Sequence, residues 1–345
     1  MKKQKQFFRR LCASLAAAAV ALSLLPPVSA ANSISIASLE DWKAFADRCV
    51  RDTYSQGLTV ELTADLDFTG HTVEPVPIFQ GAFHGNGHTI TGWTYTEKGS
   101  TVGLFRTVTA TAVVDGLTLD ATVDPGGTAS TVGLLCGDNS GILQNCTVRG
   151  TLSAQTDVGG ITGCNKESGQ ILNCTSHARV TAVTNGGGIV GNNLGTVADC
   201  INTGILNDDP DQTIPTSIGG IAGLSRGTLT GCRNQGAVGY DHLGYNMGGI
   251  VGLQSGTVLD CTNSGTIRGR KDVGGIVGQF EPSTNVTYGP SPVDQLNDTL
   301  SGLMAEMTTL TDQLYSITSG SVDDVQVIHD ALAEIQKQAH SAGSE

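Results

Sequence analysis

Three stretches of the 345-residue chain gather side chains that could engage a ligand. Residues 207–217 contain Asp208, Asp209 and Asp211. Residues 239–247 contain Tyr240, Asp241, His242 and Tyr245, and residues 268–272 contain Arg268 and Arg270. Aromatic rings offer flat apolar faces with a polar tip, and ionised groups make the stronger hydrogen bonds. The combination suits a polar ligand such as a glycan, with Tyr240 or Tyr245 stacking and Asp241 or Asp209 accepting from hydroxyls. Asp208, Asp209 and Asp211 also offer a weak calcium site without a full calcium-loop motif; otherwise no cofactor or metal is expected. The competing reading is that these are solvated loops, because turn-forming residues are polar in any case.

Other chemistry is less well supported. His84 and His88 are four apart, but Gly85 and Gly87 oppose a helix and no third zinc ligand is evident. Gly186, Gly188 and Gly191 match a dinucleotide-binding spacing only formally, since the same phase recurs where the match fails. Asp199 and Asp260 lie two repeats apart, roughly 10 Å at strand spacing, too far for ordinary paired-carboxylate hydrolysis. No catalytic residues are assigned.

What must position the three stretches is a repeat. Gly-Gly-Ile-x-Gly begins at Gly159, Gly187, Gly219, Gly248 and Gly274, with degenerate copies around Gly133 and Gly103. A second motif keeps a fixed five-residue step from glycine to cysteine, ending at Cys146, Cys174, Cys200, Cys232 and Cys261. A fixed core step with variable length elsewhere marks a solenoid, one coil per repeat, with insertions becoming loops on one edge. Equivalent residues then stack at about 4.8 Å. The cysteines form an inward ladder of free thiols, whose parallel Cβ vectors suit bridging poorly. Ile161, Ile189, Ile221, Ile250 and Ile276 form one apolar column; Leu152, Val180, Leu206, Val238 and Ile267 form another. Asn145, Asn173, Asp199, Gly231 and Asp260 precede the cysteines as a structural amide row. The glycines are expected to permit tight corners and backbone conformations closed to other residues. The three ligand stretches share one phase and should project side by side, where repeat proteins commonly bind.

Residues 38–50 read as an amphipathic helix with Ser38 as N-cap, placed to cover the open first coil. That helix, the run from Leu62 to Asp67, Phe83 to Ile90, Val102 to Phe105 and the Gly-Gly-Ile-x-Gly repeats together resemble bacterial secreted and surface proteins carrying GLUG-type repeats. The resemblance covers residues 34–280. It implies a right-handed parallel β-helix displayed outside the cell, with adhesive or matrix roles and no catalytic residues to carry over.

Residues 1–30 read as a secretory signal: five basic residues, an apolar run from Leu11 to Leu25, and cleavage near Ala30. Without it, 14 basic residues face 32 acidic ones, a net charge of −18, which disfavours nucleic acid and anionic lipid. The mature chain holds no expected membrane span. From Val293 to Ile317, apolar residues alternate three and four apart, predicting a coiled coil or helical hairpin able to self-associate. No anchor follows Glu345, so the chain is expected to be short at its C-terminus. The domain reading is therefore a signal (1–30), a helical cap (31–56), a parallel β-helix (57–288) and a helical segment (293–340), the whole an all-β solenoid with helical ends. The leading function is exported, non-enzymatic adhesion to a glycan or a host or matrix protein. A polysaccharide lyase or glycosidase, and a purely structural spacer, are the alternatives.

Overall fold

The computed structural model describes residues 32–281, apart from Ala129, and residues 300–309, apart from Met304. The signal and most of the heptad segment lie outside these residues. The chain divides into two units, Met1–Ser283 and Thr284–Glu345. In the second, residues 300–303 and 305–309 are helical.

The first unit is an all-β parallel solenoid, of right-handed type, with about nine turns. Its short strands form three sheets of nine, fourteen and eight strands. The nine-stranded sheet runs from Asn32–Ile36 to Thr257–Leu259, and the eight-stranded sheet from Val76–Phe79 to Val277–Phe280. Each strand pairs with its equivalent one coil away, so sequence phase becomes spatial register. Leu152 pairs with Val180, and isolated bridges continue the column through Leu206, Val238 and Ile267. Ile161, Ile189, Ile221 and Ile250 are fully buried, and each amide donates to the next coil's isoleucine carbonyl at 2.9–3.0 Å. Ile276 ends that column and is 38% exposed.

One helix, α1 (Leu39–Arg48), follows the strand Asn32–Ile36, which pairs in parallel with Leu58–Leu62, so the region expected to be a helical cap (31–56) already contributes a strand to the solenoid. The Ser38 hydroxyl oxygen accepts from the Asp41 amide at 3.2 Å, and the Asp41 carboxylate accepts from the Ala37 amide at 3.1 Å, so both sides of the turn are closed. Trp42 and Phe45 are buried against the first coils' aromatics: the Trp42 ring lies 5.6 Å from Phe68, 5.9 Å from Phe83 and 6.1 Å from Phe105. Among the described residues, Phe79 joins Trp42, Phe45, Phe68, Phe83 and Phe105 in an aromatic cluster where the helix meets the solenoid.

The glycine expectation needs correction. Gly159, Gly160 and their equivalents have no left-handed φ; except at the terminal Gly275, the constraint on them is space. A Cβ on Gly188 would sit 2.2 Å from the Gly220 carbonyl oxygen and 2.4 Å from Asn202 Cγ, and Gly220 and Gly249 are similarly crowded. The left-handed corners fall instead to Asp157, Asn185, Ser217, Asn246 and Asp272, φ 47–59°, each two residues before a Gly-Gly pair. Asn and Asp tolerate that region better than other side chains.

Candidate functional site along the loop edge

Two columns bound one corner of the solenoid. On one side stand Tyr95, Val123, Leu152, Val180, Leu206, Val238 and Ile267. On the other stand Val102, Val132, Val158, Gly186, Ile218, Met247 and Val273. The chain between them is longest at 207–217. It is intermediate at 96–101, 124–131 and 239–246, and only five residues at 153–157, 181–185 and 268–272. In the two short middle coils the strands Thr147–Gly159 and Arg179–Gly187 run straight across the corner. The edge therefore has two raised groups of loops separated by a low saddle. Reading the array only from Val158 onward misses the N-terminal group.

The C-terminal group brings the sequence-selected residues together in part. Asp241 Oδ1 lies 3.3 Å from Arg268 Nε in the next coil. The Arg270 guanidinium carbon stands 6.0 Å from the centre of the Tyr245 ring. The Tyr245 amide donates to the Pro215 carbonyl at 3.0 Å, and the Arg270 amide to Gly244 at 2.9 Å. The three inserts are thus stitched side by side by backbone bonds as well as side chains. Tyr240 is 39% exposed beside them. His242 holds a left-handed turn position, φ 59°, closed by the Leu243 amide donating to Tyr240 O.

The acidic insert behaves differently. Asp208 points toward the saddle and pairs with Arg179 at 2.8 Å. Asp209 Oδ1 accepts from the Asp211 amide at 2.9 Å, a local turn bond. Among the described residues no three His, Cys, Asp or Glu side chains come together as a metal-holding group. The insert is pinned by buried Asn207, whose Oδ1 accepts from the Ala182 amide at 3.2 Å. Its Nδ2 donates to Ala182 O at 2.6 Å and to Gln212 Oε1 at 2.9 Å. A long loop so braced is preorganised rather than free.

Cys146, Cys174, Cys200 and Cys232 are buried free thiols in one column, and Cys261 is half-buried at its end. Each Sγ donates to the carbonyl two residues earlier, from 3.1 Å at Cys146 to 3.4 Å at Cys232. Its hydrogen bond with Cys174, and then burial, hold the Cys146 thiol well above the ordinary range. Burial pushes the Cys49 thiol up to about 12. Cys146, Cys174 and Cys200 are packing thiols, not activated nucleophiles, whereas hydrogen bonds with Cys200 and Cys261 draw the Cys232 thiol down to about 4. The outer row before them is laddered only at its start: Asn173 donates to Asn145 and Asn145 to Asp115, at 2.8 and 2.7 Å. Its residues all have φ between 51° and 63°, so the row also marks a left-handed corner.

Two internal amide ladders escaped the sequence reading. Asn139 Nδ2 donates to Asn165 Oδ1 at 2.8 Å, Asn165 to Asn193 at 2.9 Å, and Asn193 to Ser225 Oγ at 3.2 Å. Asn202 donates to Asn234, and Asn234 to Asn263, both at 2.8 Å. Both ladders were visible as phased signals, Asn-x-Gly at 139, 193 and 202, and Cys-x-Asn at 200, 232 and 261. They lock coil to coil and present no reactive group.

No family model matches the chain. Over 141 residues, 37% of its length, it is 31% identical to Halomucin of Haloquadratum walsbyi, and it spans only 2% of that much longer protein. A crystal structure from Bacteroides ovatus, named as a candidate immunoglobulin A1 protease, superposes with a TM-score of 0.55. The two share 16% identity over 72% of this chain and 83% of the other, a likeness of fold alone.

Proposed function

We propose that the chain is an exported, non-enzymatic binding protein that uses the inserts at 207–217, 239–247 and 268–272 to hold a glycan or a protein surface outside the cell. The observation that carries this is the mutual bracing of the inserts: the Asp241–Arg268 and Tyr245–Arg270 contacts and the Asn207 pin make a fixed, mixed-charge surface flanked by exposed Tyr240 and Ile214. Exposed ion pairs contribute little to stability, so their stacking on one edge fits recognition better than folding. The likeness to a mucin-named protein agrees with an extracellular place.

Within this reading, residues 1–30 direct export and α1 caps the first coil. The repeats are of GLUG type, and residues 293–340 pair copies of the chain. Replacing Tyr240 and Tyr245 together with Ala should lower affinity for whatever ligand is captured by tenfold or more without changing the far-ultraviolet spectrum. Unchanged affinity would remove the inserts as the site.

A further inference from the structure

The N-terminal group of loops, remote in sequence from these inserts, holds two clefts. One, of about 310 Å³, is lined by His71, Glu74, Thr94, Tyr95, Thr96 and Glu97, among others. The other, of about 440 Å³, lies between residues 98–100 and 126–128. Glu97 lines the first cleft and Lys98 the second. The first is of the size that takes a small ligand.

Its walls are fixed from below. Fully buried Trp93 donates its indole N–H to Val73 O at 3.0 Å, fastening the loop that carries His71 and Glu74. The Asp124 amide donates to Tyr95 O at 2.9 Å, fastening the loop that carries Glu97 to the next coil. The first cleft thus presents two exposed carboxylates, one imidazole and threonine hydroxyls, and no lysine or arginine lines it. Carboxylates accept strongly from ammonium and hydroxyl groups and repel other carboxylates. We infer that this cleft is a sugar-binding site selective for oligosaccharides carrying free amino groups, with Glu74 and Glu97 as the acceptors. The site stands independently of the Tyr240–Tyr245 surface.

The test is calorimetric titration of the mature chain at pH 6 with a soluble glucosamine tetramer, its N-acetylated form, and a uronic acid tetramer. The amine form should bind tightest and the uronate form not at all. Glu74→Gln and Glu97→Gln should each weaken the amine form about tenfold, while Tyr240→Ala leaves it unchanged. Glu167→Gln, an exposed acid at a different corner, is the control for diffuse attraction to an acidic chain. Equal binding of all three sugars, full binding by both glutamine variants, or an equal loss in Glu167→Gln would each overturn the assignment.

Discussion

Asp157 shows how one residue can serve geometry at an electrostatic cost. It occupies a left-handed corner, and its carboxylate accepts from Asn185 Nδ2 at 2.8 Å and Asn192 Nδ2 at 3.4 Å. Burial raises its pKa, and those two hydrogen bonds offset the rise only in part. A carboxyl raised in the folded state stabilises below the ordinary carboxylate range and loses that contribution as pH climbs through the raised value. At neutral pH the ionised form therefore costs stability. Asn192 Oδ1 is buried without a partner, so an asparagine at 157 could keep the corner and supply the missing donor. Asp157→Asn should stabilise by about 1 kcal/mol at pH 7, with the gain shrinking by pH 3, read as thermal midpoints at both pH values. A gain equal at both would show that charge is not the cause. The thiols follow the same logic of burial. Iodoacetamide at pH 8 should modify Cys261 first and leave Cys146, Cys174, Cys200 and Cys232 unmodified until denaturant is added, as mapped by mass spectrometry. Thiols that react in the unfolded chain only after reduction would contradict the free ladder.

At the scale of the coil, much was legible because the parallel register turns sequence phase directly into position. The isoleucine column, the Leu152 column and the cysteine ladder all stand where the spacing places them. What was not legible depends on contacts across coils. Gly188 reads as a corner residue, yet its role is to admit the Asn202 side chain and the Gly220 carbonyl, which no local pattern encodes. The buried amide ladders were overlooked because asparagine usually signals turns. Asn202 accepts from the Gly204 amide at 3.1 Å and donates to Gly204 O at 3.3 Å, besides its bond to Asn234. Asn202→Ala should therefore cost about 3 kcal/mol, since each unpaired buried group costs about 1–3 kcal/mol. Asn145→Gly, which keeps a left-handed corner on the exposed row, should cost no more than about 1 kcal/mol. Denaturant midpoints of the two variants check the contrast, and equal losses would mean that the buried ladder adds no more than the exposed row.

For the whole solenoid, the proposed function rests on the long edge. The insert residues of adjacent coils meet through the Asp241–Arg268 and Tyr245–Arg270 contacts. Asp208 was grouped with a calcium-binding trio but is drawn away to Arg179, because the five-residue coil beside it leaves a guanidinium within reach. The N-terminal clefts went unnoticed since their loops lie in coils whose repeat motif is degenerate. The central claim is that this edge binds without transforming what it holds. It is tested most directly by incubating residues 31–345 with soluble polysaccharides and glycoproteins, recording both retention and release of shorter products. The account predicts retention without product, lost on replacing Tyr240 and Tyr245. Release of shorter products, or retention untouched by those replacements, would contradict it.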